Sequence, residues 1–287
     1  MNYKDKFTHL HVHTEYSLLD GSIRIKDLIS RTKELGMDSV AITDHGAMFG
    51  VIEFYKEAKK QGIKPILGSE VYVAIDKYTD KEQKDKNQYH LVLLAETNEG
   101  YQNLMKIVSE GYVNGFYYKP RVDHDILRKY SKGIIALSAC LGGEVPYHLL
   151  NNDYEKAKEV ALEYADIFGK DNFFLELQDH GVEEQRIVNR ELIRISKETG
   201  IPLVVTNDVH YLRREDALVH DILLCIQTGK TVDEEDRMKF PTNEFYLKSP
   251  EEMKSIFYDN IEALENTAWI ADRCNVELDF NTLHLPE

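Results

Sequence analysis

Short apolar, β-branched runs alternate with helical patterns along most of this chain, and that alternation limits its fold more than any other feature. Strands are expected at 7–13, 39–44, 65–73, 89–95, 133–138, 172–179 and 201–208. Helices are expected between them at 22–35, 50–61, 98–113, 144–168 (with a break) and 182–199. Several end at a glycine suited to a left-handed cap, namely Gly36, Gly62, Gly169 and Gly200. Such a pattern builds either an open doubly wound sheet or a barrel. The open sheet normally carries a glycine-rich turn after its first strand. Here that position holds Thr8-His9-Leu10-His11-Val12-His13-Thr14 instead. The expected class is α/β, a distorted seven-stranded (β/α)7 TIM-like barrel.

After His210 no further strand-helix unit follows; 212–230, 250–258 and 260–274 read as helices. The expected division is a barrel over 1–210 and a helical extension over 211–287, within the size range of one or two domains. The polar connection 75–88 reads as a solvated loop. No run approaches the ~18 apolar residues of a membrane span, and Met1-Asn2-Tyr3-Lys4-Asp5-Lys6 lacks an apolar signal core. A cytoplasmic protein with no membrane partner is expected. Cys140, Cys225 and Cys274 are odd in number and far apart, which argues against a disulfide framework.

In an extended segment, side chains two apart share a face with Cα atoms roughly 6.5–7 Å apart. His11 and His13 can therefore grip one ion. The bland alternative is imidazoles satisfied by backbone and water. Other donors fall where predicted strands end, which is where barrels place their chemistry: Asp44 and His45, Cys140, Asp208 and His210. Asp20 lies in the first loop and Glu70 inside the third strand. Imidazole, carboxylate and thiolate together suit zinc and related metals. His90 leads its strand, so it meets the others only if that strand runs against its neighbours or the residue reaches over from the loop. Net charge is −15, which excludes holding a polyanion by protein charge alone.

The runs His11-Val12-His13-Thr14-Glu15-Tyr16-Ser17-Leu18-Leu19-Asp20-Gly21, Ile42-Thr43-Asp44-His45-Gly46 and Gly68-Ser69-Glu70 resemble the polymerase and histidinol phosphatase (PHP) domain. More narrowly, 115–121, 138–144 and 220–227 resemble the PHP domain that opens bacterial DNA polymerase III alpha subunits. The resemblance implies a barrel with three divalent metal ions at its mouth, zinc best suited, manganese or iron admitted. It places the metal ligands at His11, His13, Asp20, His45, Glu70, His90, Cys140, Asp208 and His210. His11, His13, Glu70 and Asp208 would hold one ion. Glu70, His90 and Cys140 would hold a second, and Asp20, His45 and His210 a third. Glu70, Asp208 and His210 are the implied catalytic residues.

The implied activity is phosphodiester hydrolysis at a DNA primer 3′ end, a 3′→5′ proofreading exonuclease. The implied partners are DNA, the remainder of the alpha chain and replisome subunits. Nucleotide addition would belong to a palm beyond His284-Leu285-Pro286-Glu287, so this chain is expected to be a piece of a longer polypeptide. Arg121 is the candidate phosphate contact, since guanidinium matches phosphate bidentately. Asp44 is expected either to orient a ligand imidazole or to cap a helix. His9, His124, His148, His180, His220 and His284 are expected to be structural. Two other readings stand beside the nuclease: a free-standing phosphomonoesterase, and a metal-stabilised module without turnover.

Overall fold

The computed structural model describes residues 3–82 and 87–282. Part of the loop expected over 75–88, and His284, lie outside the described residues. Eight strands form one curled mixed sheet: β1 (Ser39–Ile42), β2 (Lys64–Ala74), β3 (Gln88–Ala95), β4 (Phe116–Tyr117), β5 (Lys119–Val122), β6 (Ile134–Leu137), β7 (Phe173–Leu177) and β8 (Leu203–Val205). Their order is β4-β5-β2-β3-β6-β7-β8, with β1 paired in parallel to the first residues of β2. β3 runs antiparallel to both β2 and β6, and β6, β7 and β8 are mutually parallel neighbours.

Helices α1 (Ile25–Glu34), α2 (Val51–Gln61), α3 (Asn98–Val113), α5 (Glu144–Leu150), α6 (Tyr154–Phe168) and α7 (Glu183–Thr199) cover the sheet in the expected places, with α4 (His124–Tyr130) added between α3 and β6. β1, β6 and β7 are buried along their whole length, as strands covered on both faces must be. One apolar cluster packs sheet against helices. A second packs against the opposite face, with Leu10 and with Ile66, Val92, Leu137 and Phe174, which alternate along the strands with members of the first. Of the later helices α8 (Ala217–Thr228), α9 (Pro250–Ile256) and α10 (Ile261–Arg273), α10 sends Ile270 and Ala271 into that second cluster.

The expected strand over 7–13 is not formed, and the sheet stays an open half-barrel rather than a closed seven-stranded one. The segment is extended and lies between β1 and the chain following β8. Ala41 N–H donates to His9 O (2.9 Å), and Val12 and Val209 form one parallel bridge, in which His13 N–H donates to Val209 O and Val209 N–H to His11 O. Side chains take the donors a ladder would use: Val12 N–H goes to Thr43 Oγ1 at 2.8 Å and Thr8 N–H to Thr267 Oγ1 at 3.0 Å. Backbone groups satisfied by hydroxyls cannot also pair with a neighbouring strand. The β4–β5 hairpin and α4 were not expected; Pro120 inside the run masked a two-residue edge pairing.

Candidate metal centre

The antiparallel course of β3 resolves the position of His90. It is the third residue of β3, paired with Tyr72 two positions along from the Glu70–Val92 pair, and its Nδ1 lies 3.1 Å from Glu70 Oε1. Cys140 follows β6, its Sγ 4.0 Å from His90 Nδ1. The turn that delivers Cys140 contains Ala139 at φ 63°, and Asp208 itself sits at φ 43°. Both are left-handed conformations that non-glycine residues adopt at a cost of about 1–3 kcal/mol, a pattern common at functional sites.

His11 and His13 present their Nε2 atoms to one point, 3.1 Å apart. Asp208 Oδ1 lies 3.2 Å from each, and the two Glu70 oxygens lie 3.4 Å away, one from each ring. Each ring is aimed by its other nitrogen. His11 Nδ1–H donates to Glu176 Oε1 at 2.7 Å, and His13 Nδ1–H to Ser17 Oγ at 3.0 Å. A second group forms beside the first. His45 stacks on His13 with centroids 4.0 Å apart, its Nε2 2.8 Å from Asp20 Oδ2 and its Nδ1 2.7 Å from Glu70 Oε2. His210 Nδ1–H donates to Asp208 O at 2.8 Å, leaving Nε2 directed to Asp20 Oδ2 at 3.6 Å. Gly21 lets this loop close on the first segment, because a Cβ there would stand 2.1 Å from Thr14 O.

All nine expected donors therefore gather at one end of the sheet. Three sets within them, His11–His13–Glu70, His45–Glu70–His90 and His13–His45–His210, each bring their donor atoms within 4.8 Å of one another. These overlap with the three sets that the resemblance implies without coinciding with them. Asp20 Oδ1, His45 Nδ1, Glu70 Oε2, Asp208 Oδ1 and His210 Nε2 are buried without a hydrogen-bond partner. Orphaned lone pairs in close approach are what donors converging on shared cations leave, so the residues fit a divalent cluster.

The field divides the imidazoles: burial lowers those of His11, His45 and His210, but the neighbouring carboxylates outweigh it and raise them, so each must give up a proton to bind a cation. Burial pushes the Asp20 carboxyl up, but His210, His220 and His45 outweigh it and hold it below the ordinary range. Burial, helped by His45 and His210, lowers His13 to about 3, so its imidazole is neutral and able to ligate. Burial and then Asp208 and Glu70 push the Cys140 thiol well up. An adjacent cation reverses that effect and makes the thiolate available.

Two of three supporting groups escaped the sequence reading of their roles. Glu176 is buried and also accepts from Gln178 Nε2 and Thr206 Oγ1. Asp44 caps no helix but does orient an expected ligand imidazole, through Ser17 rather than directly. Its carboxylate takes Thr14 N–H, Thr14 Oγ1 and Ser17 Oγ, and so holds the hydroxyl that aims His13. His220, expected to be structural, is buried with Nε2 3.6 Å from Asp20 Oδ1, its ring edge-on to Phe240. The only hint in sequence was a histidine inside an apolar helix.

Arg121 corrects the expectation of a phosphate contact. It is wholly buried, and its guanidinium donates to the carbonyls of Gly115, Tyr78 and Asp80. It staples the loop after β2 to the hairpin and faces no open space. His9 and His180 are core residues as expected, bonded to the carbonyls of Lys248 and Asn207. His124 is held by Glu144 and Glu163.

A family model described as the PHP domain matches residues 9–180. The chain is similar to the DNA polymerase III subunit alpha of Borreliella burgdorferi, 52% identical over 277 residues, 96% of this chain and 24% of that one. It is similar to that of Helicobacter pylori strain J99 at 50% over 283 residues, covering 95% and 23%. The Thermus aquaticus subunit is 45% identical over 286 residues, covering 97% and 23%. The chain thus spans about a quarter of the length of these curated relatives. A solved two-domain protein from Bacteroides vulgatus, described as containing a predicted PHP-like metal-dependent phosphoesterase, aligns with TM-score 0.41 and 14% identity over 91% of this chain and 63% of that one. Among the described residues no helix is long and apolar enough to cross a membrane. The family match runs through seven of the nine converging donors, from His11 to Cys140, and the chain belongs to the PHP domain family.

Proposed function

We propose that this chain is the phosphoesterase module of a replicative polymerase alpha subunit, removing nucleotides from a DNA 3′ end. The observation that carries the reading is the convergence of imidazole and carboxylate donors in three overlapping sets, with one atom from each of five of the nine expected donors buried without a hydrogen-bond partner and the Cys140 thiol 4.0 Å from His90. Divalent cations bound there would supply Lewis acidity and a water of lowered pKa. His11, His13, Glu70 and Asp208 hold one ion in this proposal; Glu70, His90 and Cys140 hold a second; Asp20, His45 and His210 hold a third. The mixture of thiol and imidazole favours zinc, while the carboxylates admit manganese or iron.

The chain's own residues orient this chemistry. Glu70, Asp208 and His210 are the proposed catalytic residues. Glu70 reaches His11 and His13 with its two oxygens and His90 with one of them, so its carboxylate would be shared by the first two ions. Asp208 and His210 stand two residues apart in the chain, so a phosphate drawn to the cations they would hold meets both ions together. Buried walls exclude bulk water and strengthen each of these interactions. The half-barrel over 1–210 is the proposed catalytic unit. The segment 211–287 is the proposed link to the remainder of an alpha chain, whose polymerase activity and replisome contacts lie outside this module.

The test is release of the terminal nucleotide from a 3′-labelled primer by the zinc- or manganese-loaded chain, compared with histidinol phosphate. Turnover of the primer, abolished by chelator and by His11→Ala with the fold retained by circular dichroism, is expected. Preference for histidinol phosphate would establish a phosphomonoesterase. Absence of turnover with metal bound would leave a structural module.

A further inference from the structure

One pocket opens beside the candidate metal centre with Asp20 and His45 on its floor, and aromatic rings make up much of its wall. Phe49 and Tyr112 line it with ring centroids 6.1 Å apart and planes inclined by 51°, and Phe116 continues the row 6.2 Å beyond Tyr112, its ring inclined by 29° to that of Tyr112. The rings come from three separate places in the chain: the turn before α2, the end of α3, and β4. Phe49 is 59% exposed, Tyr112 40% and Phe116 48%. Single exposed apolar residues are ordinary, but an exposed row ending at a cluster of metal donors is not scattered surface.

The charge of the chain bears on what this row is for. At −15, counterion release from protein cations cannot anchor a polyanion. Lys119, set over the Tyr72 ring at 5.2 Å, is the one lysine or arginine among the residues lining this pocket. Affinity for a nucleic acid must then come from the metal centre and from contacts indifferent to charge. Base stacking on aromatic side chains is such a contact, and it is tolerant of sequence.

We propose that Phe49, Tyr112 and Phe116 form a stacking platform for unpaired nucleobases, guiding a single-stranded 3′ end past Lys119 to Asp20 and His45. The proposal rests on the phosphodiester reading above and adds its substrate class: a frayed or single-stranded end rather than a paired one. A paired terminus keeps its bases stacked on their own neighbours and offers the rings no free face.

The test uses a short single-stranded oligodeoxynucleotide with 2-aminopurine as its last base and a phosphorothioate at the last linkage, added to the zinc- or manganese-loaded chain. Quenching of the 2-aminopurine on binding is expected. The Phe49→Ala, Phe116→Ala double variant should lose the quench and weaken Kd by about ten-fold or more, with metal content and circular dichroism retained. Phe49→Trp with Phe116→Tyr should restore both, because each keeps a π-face. An unchanged Kd and quench in the alanine variant overturns the platform, and would mean that the rings meet another protein surface. Failure of the strand to bind while bis(p-nitrophenyl) phosphate is cleaved also overturns it. Ring-dependent binding with no cleavage of any phosphodiester keeps the platform and refutes the hydrolytic reading instead.

Discussion

Replacing Asp44 tests whether the donors are held in place by the layer behind them. The carboxylate is buried and accepts from Thr14 N–H at 2.6 Å, Thr14 Oγ1 at 2.8 Å and Ser17 Oγ at 2.8 Å. Bonds to a charged acceptor contribute roughly 1.5–3 kcal/mol each. The two hydroxyls can turn to other partners, and Ser17 Oγ still accepts from His13 Nδ1–H and His45 N–H. The Thr14 amide cannot turn, and a buried unpaired donor costs about 1–3 kcal/mol. Asp44→Ala should therefore lose about 3–4 kcal/mol, and Asp44→Asn, which keeps one acceptor, about 1–2 kcal/mol. Urea denaturation of the metal-loaded chain reads the loss as a shift in midpoint. Because Ser17 then holds His13 less firmly, zinc affinity should also fall by about 10–100-fold, the usual effect of removing an outer partner. An alanine variant within about 1 kcal/mol of the parent, with zinc affinity unchanged, would refute the idea that Asp44 fixes the histidine.

Glu176→Ala should weaken zinc binding by about 10–100-fold, measured by competition with a chromogenic chelator, because His11 loses the carboxylate that sets its tautomer. Arg121→Ala should destabilise the chain by about 3 kcal/mol in urea, since buried carbonyls lose their donors, and should leave KM for a phosphate ester unchanged; a raised KM with stability intact would restore its role as a phosphate contact. Burial lowers the His124 pKa, but Glu144 and Glu163 outweigh that and raise it from 6.5 to about 9. Its folded pKa lies above its unfolded one, so its contribution is fully present below about pH 6.5 and is lost as pH rises through about 9. The effect is on the order of 2–3 kcal/mol. The urea midpoint should fall across that window in the parent and stay flatter in His124→Gln; parallel profiles would exclude the pair.

Most of the fold could be read from periodicity, since α3 follows Asn98–Val113 as the apolar spacing predicts and β2 and β3 lie within a residue of their expected bounds. What local pattern cannot carry is pairing. Whether β3 ran with or against its neighbours was open until its register with Glu70 and Leu137 was seen, and only that direction brings His90 to the mouth. The segment at 7–13 has the alternation of a strand, yet Thr43 and Thr267 intercept its donors from distant positions. The donors themselves were visible because their chemistry is rare and they fall at strand ends. Two of their three supports were not: Glu176 lies 165 residues from the ring it orients. Arg121 misled because a hairpin, unseen around Pro120, turns its side chain inward.

Anomalous diffraction from crystals of this chain grown with zinc, or with manganese, addresses the central claim most directly. The account predicts three peaks, one among His11, His13, Glu70 and Asp208, one among Glu70, His90 and Cys140, and one among Asp20, His45 and His210. Density for ions elsewhere, with those side chains paired to one another or turned to solvent, would contradict it.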